Sequence, residues 1–324
     1  MNFTRSYSIT LAIVYLLLSS FLPTLNAQPE SMKSIFEKSA KHWAFQPINK
    51  PLIPDSEFSN PVDAFIDNAL KKQSLIFAKP SNRQTIIRRI YNDLIGLKPT
   101  FEQVTAFVND QAQDAYANLV DQLLASPRFG ERWGRHWLDV ARYADTKGYL
   151  AGGESRAYPY AYTYRDWVIK ALNKDLPYDE FIRKQLAADF LTNEPNDGDL
   201  AALGFLTAGP VFLNRKQLII DDQIDLVTRG LMGFTVACAR CHDHFHDPVP
   251  TADYYSLYGI FDASNKPVKF PLIGKPNENS TAYIEFKEKL SKLQQKVDQF
   301  LQSKLDFTQS KEGIKKYIQL SLDA

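Results

Sequence analysis

Ser126-Pro127-Arg128-Phe129-Gly130-Glu131-Arg132-Trp133-Gly134-Arg135-His136-Trp137-Leu138-Asp139-Val140-Ala141-Arg142-Tyr143-Ala144-Asp145-Thr146 is the stretch on which the fold class turns. Ser126 offers an N-cap hydroxyl, and Pro127 has a preset φ and no N–H to lose at the first helical position. Phe129, Trp133, Trp137, Val140, Ala141 and Ala144 then recur at helical spacing. Arg132, Arg135, His136, Asp139, Arg142 and Asp145 share the remaining face. The expectation is a helix with an apolar stripe in a core and a salt-bridged face in solvent.

Upstream the same signals repeat at short intervals. Phe65, Ala69 and Leu70 follow helical spacing after Pro61, and Ser81 precedes Ile86, Ile87, Ile90 and Leu94 in a helix that Gly96 can end. Thr100 with Gln103 reads as a capping box for a short helix through Phe107, and Tyr116, Leu119, Val120 and Leu123 make one more. Before them, Pro47, Pro51, Pro54 and Pro61 space out an extended arm over 28–60, with Trp43 and Phe45 as its anchors and His42 beside them.

Downstream lies a Tyr- and Gly-rich loop with Gly152, Gly153, Tyr158, Tyr160, Tyr162 and Tyr164, which either stacks on sugar rings or packs on a helix below. Helices are expected around Trp167 and over 177–191. Asp221, Asp222 and Asp225 are read as opening another, where carboxylates favour the positive helix end, although such a cluster also has calcium-ligand chemistry. Tyr254, Tyr255, Leu257, Tyr258 and Phe261 form an aromatic helical stripe. A Pro/Asn/Gly-rich linker follows at 266–280, and Phe286, Leu290, Leu293, Val297 and Phe300 then alternate by four and three. The fold read from this pattern is mostly α: an irregular multi-helix domain with long loops over 61–265, then a C-terminal coiled-coil-like helix within 281–324.

Residues 1–27 have the layout of a secretory signal: Arg5, an apolar run from Ile9 to Leu22, and Ala27 at the cut. The run is short for a membrane span, and no membrane span is expected in the mature chain. The protein is therefore expected to be exported, periplasmic or extracellular. Lys plus Arg is 38 against 37 Asp plus Glu, and removing Arg5 leaves 37 against 37, so no basic field exists to gather phosphates and nucleic acid is excluded as a partner.

The chemistry concentrates in Cys238-Ala239-Arg240-Cys241-His242, continued by Asp243-His244-Phe245-His246-Asp247-Pro248. These are the only 2 cysteines, three apart, with a histidine next in line. C-x-x-C-H is the attachment signature of c-type haem: two thiols add to the two vinyl groups, and the adjacent imidazole becomes the proximal iron ligand. One covalent haem c on Cys238, Cys241 and His242 is the leading reading. Zinc, with His244 or His246 as further ligands, and a redox disulfide remain alternatives. His136, between two tryptophans, is a candidate distal iron ligand or proton carrier, and His244 is a candidate metal or acid/base residue. Neither a catalytic residue nor a reaction is assigned, so whether the chain is an enzyme stays open. The non-redox alternative is a binding or scaffold protein whose cysteines hold zinc or a disulfide and whose tyrosine loop contacts polysaccharide.

Several long motifs occur here in a fixed order: K-H-W-A-F-Q-P from Lys41 to Pro47, N-P-V-D-A-F-I from Asn60 to Ile66, R-R-I-Y-N-D-L-I-G-L from Arg88 to Leu97, the stretch from Leu124 to Thr146, and Cys238 to Pro248. Over about 39–261 the chain resembles the planctomycete-type cytochrome c proteins, domain-of-unknown-function family 1549. The resemblance implies an exported, mostly helical protein with a redox association and a redox partner protein, but no firm reaction. It carries over Cys238, Cys241, His242, Asp243, His244, Asp247 and Pro248, while Phe245 and His246 depart from the family's His-Asp-His-Lys-Phe-Asp-Pro. Such proteins commonly have another domain after this one. The chain is therefore expected to be either a shortened version or half of a system whose other half is a separate chain.

Overall fold

The computed structural model describes residues 32–148, 155–192, 194, 197–265, 267, 270–274 and 276–322. The expected signal segment and Gly152 and Gly153 of the tyrosine loop lie outside the described residues. The protein is mostly α, with no strand among the described residues and one isolated antiparallel bridge between Thr146 and Ala157. Two units are distinguished, Met1–Leu191 with Ala201–Val268, and Thr192–Leu200 with Lys269–Ala324.

In the first unit the helices run α1 (Met32–Ser39), α2 (Pro61–Lys72), α3 (Arg83–Ile95), α4 (Phe101–Asn109), α5 (Ala115–Leu124), α6 (Pro127–Val140), α7 (Ala161–Asn173), α8 (Tyr178–Leu191), α9 (Gly204–Thr207), α10 (Lys216–Val227) and α11 (Thr251–Asp262). Local chemistry sets many of the ends. Thr100 and Gln103 exchange both hydrogen bonds of a capping box, Gly96 ends α3 at φ 69, and Ser126 Oγ accepts from Arg128 N at 3.3 Å with Pro127 next to it. The cap of α3 is Asn82 rather than the expected Ser81, its Oδ1 accepting from Thr85 N at 2.8 Å.

Three apolar clusters fill this unit. Ile87, Tyr91, Phe107 and Leu119 join α3, α4 and α5, with Arg83 bound twice to the Phe107 carbonyl, at 3.0 and 2.7 Å, and lying over its ring. Leu138, Tyr164, Trp167, Phe181 and Phe205 join α6 to α9. Within that cluster Tyr164 Oη and Trp137 Nε1 each donate to Gln185 Oε1 at 2.7 Å, and Gln185 Nε2 donates to the Phe181 carbonyl at 3.0 Å. The buried amide is thus satisfied. The third cluster belongs to the candidate site.

α6 buries only part of the expected stripe: Trp137 packs on Phe181 and Phe205 with ring centroids 4.8 and 5.8 Å apart, and Ala141 is fully buried. Gly130, Gly134 and Leu138 are buried, with Ala141 just past the helix end, whereas Trp133 is 43% exposed. The reason is helix approach: a Cβ on Gly130 would stand 2.5 Å from the Ile169 carbonyl of α7, and Gly130 N–H instead donates to Asn173 Oδ1 at 2.8 Å. Glycine lets the two backbones close, and Trp133, unlike Trp137, is left on the outer side. Likewise α2 buries Ala64 and Asp67 while Phe65 and Ala69 stay exposed, and Asp67 is held by Lys71 and by Ser56 of the arm at 2.8 Å. Lys71, then Ser56, holds the Asp67 carboxyl below the usual range.

The second unit contains α12 (Thr281–Gln309), capped by Ser280 Oγ on Tyr283 N, and α13 (Lys311–Leu322). No residue of α12 is buried. No helix among the described residues is long and apolar enough to cross a membrane.

Candidate functional site

The cysteine segment is set between α10 and α11. After α10 the chain makes a π-helical turn, Thr228–Met232, stopped by Gly233 in left-handed backbone at φ 76. A 3-10 turn over Val236–Arg240 follows, and Cys241 caps it. Three residues complete one turn of a 3-10 helix, so positions i and i+3 eclipse. Val236 and Ala239, 4% and 0% exposed, form the inner line and join Ile220, Ile224 and Tyr254 in the third apolar cluster. Cys238 and Cys241 form the outer line, both exposed and both free thiols.

Asp221 of α10 fastens this turn. Its Oδ1 accepts from Tyr254 Oη of α11 at 2.8 Å and its Oδ2 from Arg240 Nη1 at 3.1 Å, while Tyr255 Oη donates to the Arg240 carbonyl at 3.2 Å. Burial, and then the bond to the Asp221 carboxylate, drives the Tyr254 hydroxyl above its ordinary titration range, so it remains a donor. The aspartates thus lie inside α10, which begins at Lys216, rather than opening it. Each meets an arginine: Asp221 with Arg240, Asp222 with Arg142 at 2.5 Å, and Asp225 with Arg229. Desolvation raises the Asp222 carboxyl despite the arginine beside it.

Two histidines two residues apart have different tasks. His242 is exposed, and its Nδ1 lies 2.7 Å from the Asp243 carbonyl oxygen. A carbonyl only accepts, so Nδ1 carries the proton, and in the neutral ring the lone pair is on Nε2. Phe245 packs on this ring at 4.4 Å between centroids. His244 is buried, and its Nδ1 accepts from the backbone N–H of His246 at 3.3 Å and of Asp247 at 2.8 Å. Its ring proton therefore sits on Nε2, and the 3.5 Å approach of Asp247 Oδ2 to Nδ1 is not an ion pair. With His244 N–H on the Val249 carbonyl at 3.0 Å and Asp243 Oδ1 accepting from Thr251 N at 2.9 Å, the His-Asp-His run ties the loop to the start of α11.

His136 projects from the exposed side of α6 with its ring 5.6 Å from that of Trp133, and no hydrogen bond or ring contact joins it to the cysteine segment. The neighbour that sequence reasoning missed comes from the N-terminal arm. Phe45 stacks on Phe234, just before the 3-10 turn, at 5.9 Å and 20°, and His42 Nδ1 accepts from Ala44 N at 3.3 Å. About 190 residues separate the two phenylalanines, so no local pattern signals the contact. In the tyrosine-rich loop Tyr164 is a core residue and Tyr158 donates to the Gly209 carbonyl at 2.8 Å, while Tyr160 is 72% exposed. Among the described residues no group of three or more His, Cys, Asp or Glu side chains is placed to hold a metal ion.

Residues 61–266 match the family described as PSCyt2, protein of unknown function (DUF1549). No curated protein and no solved structure matches the chain.

Proposed function

From the premise that this chain belongs to the PSCyt2 family of proteins of unknown function, we propose that it is an exported c-type haem protein, the electron-transfer module of an extracytoplasmic oxidoreductase system. The observation that carries this reading is the donor set on the outer face of the 3-10 turn. Two free thiols one turn apart are followed at once by an imidazole whose Nδ1–H is occupied by the Asp243 carbonyl and whose lone pair is on Nε2. That is the tautomer a metal-binding imidazole needs, and the carbonyl fixes the ring as such partners do in metal sites.

Each Sγ–H would add across one vinyl double bond, sulfur to one carbon and hydrogen to the other, so tethering consumes no oxidant. When bound, haem supplies the one-electron redox change. The chain's own part is to hold Cys238 and Cys241 in line through buried Val236 and Ala239, to aim His242, and to shield one side of its ring with Phe245. The same residues suit zinc less well. A structural zinc takes four ligands, whereas His244 Nδ1 is already taken by two backbone donors.

Co-expression with a c-type maturation system tests the proposal. The expected result is a red protein that keeps its haem through denaturing electrophoresis and gives a pyridine haemochrome band, lost in Cys238→Ala/Cys241→Ala. His242→Ala should keep the thioether-bound haem and change its spectrum, and His136→Ala reports whether that imidazole takes the opposite axial position. A colourless protein with stoichiometric zinc, or with a Cys238–Cys241 disulfide, would overturn the reading.

A further inference from the structure

Helix α12 carries charge and apolar surface in an arrangement that the haem proposal does not use. From Tyr283 to Phe307 every a and d position of a heptad is apolar except one: Phe286, Leu290, Leu293, Val297 and Phe300 lie between, and Lys304 is the exception. Leu290, Leu293, Val297 and Phe300 are 47 to 58% exposed, and no residue of the helix is buried. Apart from Lys292, which lies at c on the outer side, the charges are sorted about this seam. Lys287, Lys289 and Lys296 occupy its e and g edges, and Lys304 lies in it with Nζ 5.3 Å from the Phe300 ring. Glu285, Glu288, Asp298 and Asp306 all fall at b, c and f on the outer side, with Asp298 and Asp306 held there by Gln294 at 3.0 Å and Gln302 at 2.8 Å.

We infer that α12 is a docking helix for one kind of partner: an amphipathic protein helix with an apolar seam flanked by Asp or Glu. An e/g edge selects its partner by charge, and here that edge is cationic with no acid on it. A second copy fits poorly. A parallel pair would set Lys304 against Lys304 inside the seam, and an antiparallel pair would set one lysine edge against the other. The seam itself alternates by three and four, the 3.5-residue repeat of a helix pair, while Ile284, Leu301 and Leu305 widen it at b and e, so a lipid surface is kept as an outcome of the test.

The test titrates the full chain, by fluorescence anisotropy, into two synthetic helical peptides of about four heptads, alike at a and d, one with Glu and one with Lys at every e and g. The Glu peptide is expected to bind at least about tenfold tighter at low salt, with the preference shrinking at high salt. Lys287→Glu/Lys289→Glu/Lys296→Glu should reverse the preference, and Leu293→Asp should abolish both complexes. Because α12 buries nothing, these variants leave the rest of the fold intact. Equal binding of the two peptides, binding of neither, self-association of the chain that Leu293→Asp removes, or capture by anionic vesicles in preference to both peptides would each overturn the inference.

Discussion

In α10, Ile220, Ile224 and Leu226 are at most 2% exposed, whereas in α12 Leu290, Leu293, Val297 and Phe300 are each about half exposed. The residue types are alike, so hydrophobicity alone does not separate the two helices. What differs is what the following residues do. Behind α10 a π-turn, Gly233 and a 3-10 turn bring the chain back within a few residues, and Val236, Ala239 and then Tyr254 of α11 close over Ile220 and Ile224, while Leu226 joins the α6 to α9 cluster. Behind α12, α13 starts after Ser310 and reaches only the end of the seam, where Lys316 Nζ lies 5.9 Å from the Phe307 ring, while Leu290, Leu293, Val297 and Phe300 stay about half exposed. One helix thus uses its apolar face to hold reactive side chains still, and the other presents its face to be read.

The largest effect is expected where the comparison is sharpest. Ile224→Ala removes a fully buried side chain beneath the cysteine turn and should cost about 2–5 kcal/mol in urea unfolding, with a matching drop in haem incorporation. A cost under about 1 kcal/mol would mean that this cluster is no better packed than the tail. Next, Asp221→Ala leaves Tyr254 and Arg240 without their common acceptor and should cost about 1–3 kcal/mol. Asp221→Asn, which can still accept from Tyr254, should recover part of that loss.

A smaller, pH-dependent effect follows from Tyr254. Its hydroxyl titrates above the ordinary 10.0 in the folded chain, so above pH 10 the folded state holds a proton that the unfolded state has released. The contribution is complete below pH 10 and is lost as pH rises towards the folded value. The stability difference between the wild type and Tyr254→Phe should therefore narrow on alkaline titration above pH 10 and stay level below it. A difference that widens there would mean that Asp221 does not hold the neutral phenol.

What was legible in the sequence, and what was not, divides along the same physical line. Capping chemistry is local, so Thr100 with Gln103, Gly96 and Ser126-Pro127 could be read directly, as could the mostly helical class and the exposed thiol spacing. The buried face of α6 could be read only in part, Trp137 and Ala141 being inward as expected. Gly130 and Gly134 have no apolar side chain to count, yet they are where α6 comes closest to α7. Asp221, Asp222 and Asp225 read locally as a helix start, because the arginine partners that place them inside α10 stand 4 to 80 residues away. At the site, spacing pointed to His242 and His244 alike. Their different roles came only from which backbone groups meet each Nδ1, a matter of loop geometry that residue order does not encode.

The smallest expected change is in the tail, and it is the most informative about the comparison. Leu290→Ala deletes as much apolar surface as a core truncation, but at 47% exposure in a helix without buried residues it leaves no cavity behind. Alanine is also the better helix former, so the intrinsic propensity change opposes the lost contacts. Urea unfolding of the full chain should thus shift by no more than about 0.5 kcal/mol. If α12 docks an acidic helix, the same substitution should weaken the Glu-peptide complex severalfold, since the leucine then goes from half exposed to buried on binding. A substitution silent in folding and costly in binding is the signature of a presented face. A substitution costly in both would show that the seam already packs within the chain and that α10 and α12 differ less than their exposures indicate.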